Sequence, residues 1–172
     1  MIKRLEIINQ PFSGQFKERI YDTQNAWNSQ NWTWIKVLED NGFEWCGQFR
    51  GVLLSIGFSN KIKYLYILTS DNLYVLDKLG GDIHKIIPQT NFKNIINTPN
   101  DDLIFYDDNN LFLLSEQNQI LKIETTISMD FIEFKTWEGN KFIFDCYEIG
   151  IWNNVTMELD MENLLINKRN VT

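Results

Sequence analysis

Alanine occurs once in this chain, at Ala26, and proline three times. Aromatics reach 14%, with six tryptophans. The strongest helix former is nearly missing while strand formers are plentiful, which excludes a helical bundle. There is one histidine, His84, and there are two cysteines, Cys46 and Cys146, in no CxxC pair. The ligand set of a structural zinc site is therefore lacking, and the reading for the cysteines is two buried free thiols. No apolar run of about 18 residues exists to cross a membrane. Met1 to Ile8 lacks the continuous apolar core that a signal peptide needs. The expectation is a cytoplasmic protein with no membrane partner.

Catalytic signatures are also wanting. No GxSxG, HExxH, P-loop or GxGxxG occurs, and Gly80-Gly81 reads as a hairpin turn rather than a phosphate cradle. His84 lies between Ile83 and Lys85 on an alternating strand that turns it to solvent, without a partner. The expectation is a protein that is no enzyme and needs no cofactor and no metal.

What is there is a chain of 172 residues with 44% hydrophobic and 23% charged residues, the makeup of one globular domain, residues 1–172. About 70% of the extended chain's surface can be buried at this size. Sixteen Lys and Arg stand against 23 Asp and Glu, a net charge of −7 with a pI near 4.7. That balance repels a phosphate backbone, so no nucleic-acid partner is expected. It suits a basic protein partner, or simply solubility.

Strand signals recur at a nearly fixed interval. Tyr64–Leu68, a turn at Ser70-Asp71-Asn72, Leu73–Asp77, a glycine turn and Asp82–Ile86 form one set. The pattern returns 38 residues later as Leu103–Tyr106, Asp108-Asn109-Asn110, Leu111–Ser115 and Asn118–Ile123, with Leu111 on Leu73. Ile83 falls on Ile120, Lys85 on Lys122 and Ile86 on Ile123. A weaker third set reads Lys141–Asp145, Glu148–Asn153 and Thr156–Leu159. Each is preceded by a further apolar run, at Val52–Ile56, Lys93–Ile96 and Asp130–Phe134. The result is four strands per unit over about 50–88, 92–124 and 129–160, joined by turns at Asx and Gly positions. Upstream, Trp32–Leu38 and Phe43–Gly47 read as the last two strands of a partial unit.

Segment 9–31 differs: Gln10–Gly14 reads as a loop, Phe16–Tyr21 as a short helix, and residues 21–30 as irregular. The tail Asn167–Thr172 is expected to fray.

The Leu-Tyr-Val-Leu-Asp…Gly-Gly…Ile pattern of Leu73 to Ile86, echoed at Leu111 to Ile123, resembles the β-propeller repeat proteins over roughly residues 50–160. The resemblance implies an all-β fold of antiparallel four-stranded repeat units in a small or partial propeller, with the N-terminal segment free to complete a fourth unit. A meandering antiparallel sheet or sandwich is the alternative.

Two carboxylate pairs, Asp101-Asp102 and Asp107-Asp108, flank one strand. The EF-hand spacing is not met, and turn chemistry accounts for them. Trp32, Trp34 and Trp45 read as core, the first two sharing one strand face. Trp137, in the turn Thr136–Asn140, reads as an exposed interface anchor. The turn after the second strand of each unit gathers Asp71, Asp107, Asp108 and Glu148 into a negative patch for a basic partner. In size, acidity and Asn/Ile/Lys-rich composition the chain is similar to the immunity proteins of bacterial contact-dependent inhibition and polymorphic toxin systems. That resemblance implies a cognate toxin partner, often a nuclease in such systems, whose active site this chain occludes. The alternative is a scaffold or ligand-binding domain without a toxin partner.

Overall fold

A computed structural model describes residues 1–22, 30–88, 90–115 and 117–169. Every regular element among them is a strand. These are β1 (Ile2–Ile8), β2 (Lys17–Tyr21), β3 (Trp32–Glu39), β4 (Glu44–Arg50), β5 (Leu53–Phe58), β6 (Tyr64–Thr69), β7 (Asn72–Asp77) and β8 (Ile83–Pro88) in the first half. The second half holds β9 (Asn94–Asn97), β10 (Leu103–Tyr106), β11 (Leu111–Leu114), β12 (Ile120–Lys122), β13 (Met129–Glu138), β14 (Lys141–Glu148), β15 (Asn153–Asp160) and β16 (Leu165–Lys168). They pair into four sheets of four, in the orders β1-β3-β4-β2, β5-β6-β7-β8, β9-β10-β11-β12 and β13-β14-β15-β16. The protein is all-β. Two compact units result, one of residues 1–56 with 63–90 and one of residues 57–62 with 91–172.

In the first unit the N-terminal segment completes a sheet, though not as a helix. Phe16–Tyr21 reads as helical from its i, i+4 apolar pair, yet Lys17–Tyr21 runs as an edge strand parallel to β4. Tyr21 is the reason: its ring stacks on Phe49 at 4.6 Å and its hydroxyl donates to the Gly81 carbonyl at 2.6 Å. Ile20 is left exposed. β3 and β4 are thus the central strands of this sheet rather than the last two.

Alternation on β3 buries Thr33, Ile35 and Val37, which puts Trp32 and Trp34 on the opposite, half-buried face. Of the three tryptophans read as core, only Trp45 is. The Arg19 guanidinium covers its ring at 4.2 Å and its Nε1 donates to Glu39 at 3.0 Å. Trp32 instead lies under the Arg50 guanidinium at 4.4 Å. Trp27 lies outside the described residues.

The 38-residue echo survives as strand pairing, with one slip. Leu76 faces Ile83 and Leu114 faces Ile120, as the alignment requires. Lys85 then faces Val75, whereas Lys122 faces Phe112, the equivalent of Tyr74. His84 is the extra residue of a β-bulge, so Lys85 and Ile86 sit one step off the positions of Lys122 and Ile123. His84 is exposed but not unpartnered: its ring stacks on Tyr64 at 4.3 Å.

The second unit closes on a core that includes Ile104, Leu111, Met129, Phe142, Phe144, Met157 and Leu159. Its last sheet runs beyond the repeat read from sequence. β16 supplies a fourth strand, paired with β15 from Met157↔Lys168 to Asp160↔Leu165, so Asn167 and Lys168 belong to a strand rather than a frayed tail.

Both cysteines are free and buried. Burial raises the Cys46 thiol above its ordinary value; burial, with Asp145 and Glu148 adding to it, pushes Cys146 up to about 11. Burial likewise pushes the Tyr21 hydroxyl up to about 12 and raises Tyr66 and Tyr74. The unfolded chain loses these protons near their ordinary values, so the stability they contribute is present in full below about pH 9. It is lost as the pH rises toward the folded values. We expect a maleimide at pH 7.5 to label neither thiol in the native protein and both in urea, and the urea midpoint to fall between pH 9 and 11. Fast native labelling of either would place that sulfur at the surface.

Candidate partner-binding surface

The four acidic residues read as one patch do not form one. Asp71, in the first unit, is buried: its Oδ1 accepts from the Ser70 hydroxyl at 2.7 Å and its Oδ2 meets no donor among the described residues. A two-residue turn between β6 and β7 tucks it against Gly51, where an added Cβ would stand 2.9 Å from its Oδ1. In the second unit, Asp107 closes its own turn, with its Oδ1 accepting the Asn109 and Asn110 amides at 2.8 and 2.7 Å. Asp108 pairs with Lys93, and Glu148 with Lys168 at 2.5 Å. The Asp108–Lys93 pair is exposed on both sides and contributes little to stability, so it can be exchanged for a partner's cation at low cost, whereas the Glu148 side chain is largely buried in its pair.

Trp137 is not the exposed anchor. It lies within β13, half-buried, with its ring edge-on to Phe142 at 5.3 Å and packed against the core of the second unit.

The turn after the second strand of the last sheet is not Tyr147-Glu148 but Ile149-Gly150-Ile151-Trp152. The alternating apolar residues of 148–153 read as a strand, yet the ladder from Lys141↔Asp160 to Glu148↔Asn153 ends β14 at Glu148. Gly150 at φ 101° and Trp152 at φ 56° then reverse the chain, closed by the Trp152 amide donating to the Glu148 carbonyl at 2.9 Å. The matching turn of the preceding sheet is Asp107-Asp108-Asn109-Asn110, the polar makeup turns ordinarily have. Here Ile151 is 60% and Trp152 63% exposed.

Beside this turn Phe131 sits in a β-bulge of β13, where Phe131 and Ile132 together face Cys146. Its φ of 53° is a left-handed conformation that a glycine usually fills. Its ring is 58% exposed, edge-on to Tyr147 at 6.1 Å, with the Lys93 ammonium 5.8 Å from its centre. Non-glycine residues in that region cost on the order of 1–3 kcal/mol and cluster at functional positions.

The acidic and apolar turns meet around the start of β13. Asn109 Nδ2 donates to the Met129 carbonyl at 2.8 Å, the Ile132 amide to Asp108 O at 3.1 Å, and the Ile149 amide to Ser128 O at 2.9 Å. A cleft of about 380 Å³ opens among them, lined by Asn109, Asn110, Glu124, Ser128 and Ile149 with others. Asp107, Asp108 and Glu148 are therefore brought to one end of the second unit.

Charge is divided as unevenly as exposure. The first unit carries nine Lys and Arg against nine Asp and Glu; the second carries seven against fourteen, which is the whole net −7. Phe131, Ile151 and Trp152 escaped the sequence reading. The signal for the last two was an Ile-Gly-Ile-Trp stretch where the neighbouring repeat has Asp-Asp-Asn-Asn. Phe131 had none, because a bulge is set by cross-strand register.

No helix among the described residues is long and apolar enough to cross a membrane, and no group of three or more His, Cys, Asp or Glu there is placed to hold a metal ion. No protein-family model matches the chain, and no curated protein matches it. Among solved structures, one described as the crystal structure of the eukaryotic initiation factor is similar at a TM-score of 0.45 and 14% identity. The match covers 80% of this chain and 40% of that one, so this chain spans about two fifths of its length. A likeness of that degree carries no argument.

Proposed function

We propose that this chain is a non-catalytic, cytoplasmic protein-binding module that blocks a basic protein partner, in the manner of the toxin-neutralising immunity proteins it resembles. The observation that carries the reading is the apolar turn Ile149–Trp152 beside Phe131, exposed on the unit that holds the entire net charge. Exposed aromatics held in strained turns are suited to anchor an interface, and their burial on association supplies the affinity. The surrounding carboxylates steer a cationic partner and speed its arrival. A toxin nuclease fits that chemistry, since a cleft that binds phosphate is basic.

The test is co-purification of the chain from its native host, followed by co-expression with whatever protein it retains. A basic protein should be recovered, its association should slow as salt rises from about 50 to about 300 mM, and its growth inhibition should be lifted by this chain. A partner whose activity is untouched by the chain would overturn the inhibitor reading in favour of a scaffold.

A further inference from the structure

The cleft between the two turns of the second unit has a chemical bias that exposure alone does not convey. Asn109 directs its side-chain nitrogen inward, to the Met129 carbonyl at 2.8 Å and Asp130 Oδ1 at 3.1 Å. Asn110 directs its own to the Asp107 carboxylate, at 3.1 and 3.3 Å. Both orientations are forced, because a carboxamide facing a carbonyl or a carboxylate must present its nitrogen. Each carboxamide oxygen is left without a donor among the described residues. Glu124, exposed on the same cleft, makes no ion pair among them.

The two carboxamide nitrogens are therefore spent on the fold while their oxygens remain, and the Thr125, Thr126 and Ser128 hydroxyls on the same cleft add oxygens that can also accept. Ile149, Ile127 and Met129 add an apolar wall. The opposing feature is Lys122, a cation on the same cleft that also lacks an ion pair among the described residues. One ammonium stands against one carboxylate, two carboxamide oxygens and three hydroxyls, within a unit of net charge −7.

We infer that this cleft is a socket for an arginine side chain of the protein partner. A guanidinium presents five donors in a flat fork, enough to engage the Glu124 carboxylate and the Asn109 and Asn110 oxygens together. Its methylene stem lies along the apolar wall. The volume of about 380 Å³ admits one such side chain. The inference rests on the reading of this end as an interface, and it names the group that the interface is built to receive.

The probe is N-acetyl-L-arginine amide, titrated against the whole chain, with amide shifts followed by two-dimensional NMR. N-acetyl-L-citrulline amide, of the same shape without the charge, is the control. Saturable shifts of the Asn109, Asn110, Thr125, Ser128 and Ile149 amides are expected in the millimolar range, with citrulline at least tenfold weaker. Glu124→Gln should weaken the arginine analogue about fivefold, and Lys122→Ala should strengthen it two- to threefold. Both residues are exposed and without ion pairs among the described residues, so neither variant threatens the fold. Silence at these amides, equal binding of citrulline, or weakening by Lys122→Ala overturns the inference. The probe needs no protein partner, so failure here leaves the apolar-turn reading standing. Failure of that reading would leave these shifts in place.

Discussion

Gly81→Ala is expected to destabilise the first unit by about 3 kcal/mol. Gly81 lies in the turn between β7 and β8 at φ 75°, and a Cβ there would stand 2.6 Å from the buried Trp45 ring. The ring has no room to retreat. It is fully buried, with the Arg19 guanidinium over it and Tyr21 beside it at 6.3 Å. Two costs add: about 1–2 kcal/mol for the left-handed backbone and about 1–3 kcal/mol for overpacking. Gly42→Ala separates them, since Gly42 has φ 83° and nothing within 4 Å of its Cβ position. Urea unfolding of the two variants should show Gly81→Ala as the costlier by about 2 kcal/mol. Equal costs would mean that the ring yields.

Phe131→Gly combined with Trp152→Gly should uncouple stability from binding. Each substitution relieves a left-handed non-glycine residue, a gain of about 1–2 kcal/mol. Against this stand the Phe131–Tyr147 ring contact, a loss of about 0.5–1.5 kcal/mol, and the greater unfolded-chain freedom of two glycines, about 0.5–1 kcal/mol each. The two sides nearly balance, so the double variant should unfold at an essentially unchanged urea concentration. Its affinity for the native partner should fall at least about thirtyfold, the loss of a central aromatic anchor. Calorimetric titration against that partner decides the matter. Unchanged affinity would remove this end of the second unit from the interface, and lowered stability would show that the two rings hold the fold rather than wait for a partner.

Much of the fold was legible because strand period and turn chemistry are local. Tyr64–Leu68, Leu73–Asp77 and their echoes at Leu103–Tyr106 and Leu111–Ser115 announce themselves as apolar runs between Asx and Gly turns. The readings that failed share a different cause. Phe16–Tyr21 carries helical spacing, but isolated spacing is weaker than the stacking of Tyr21 on Phe49, twenty-eight residues away. Ile149–Trp152 looks like a strand because it is apolar. Only the ladder on either side of it shows that it turns. The acidic patch was inferred from composition at turns, and composition does not say whether a carboxylate is free. Asp107 is consumed by its own turn, Asp108 by Lys93, Glu148 by Lys168, and Asp71 by burial.

The sequence by itself determined the class: near-absence of alanine and abundance of aromatics call for strands, and a 38-residue spacing points to four-stranded units, with a meandering sheet left as the alternative. It also fixed the acidic balance and pointed to two buried thiols, which the fold bears out. Tertiary structure alone decided where that charge lies, which aromatics face water, and which carboxylates remain unpaired. The reason is physical. Secondary structure follows from the period of a short segment, whereas exposure, pairing and strain depend on residues that only folding brings within a few ångströms of each other.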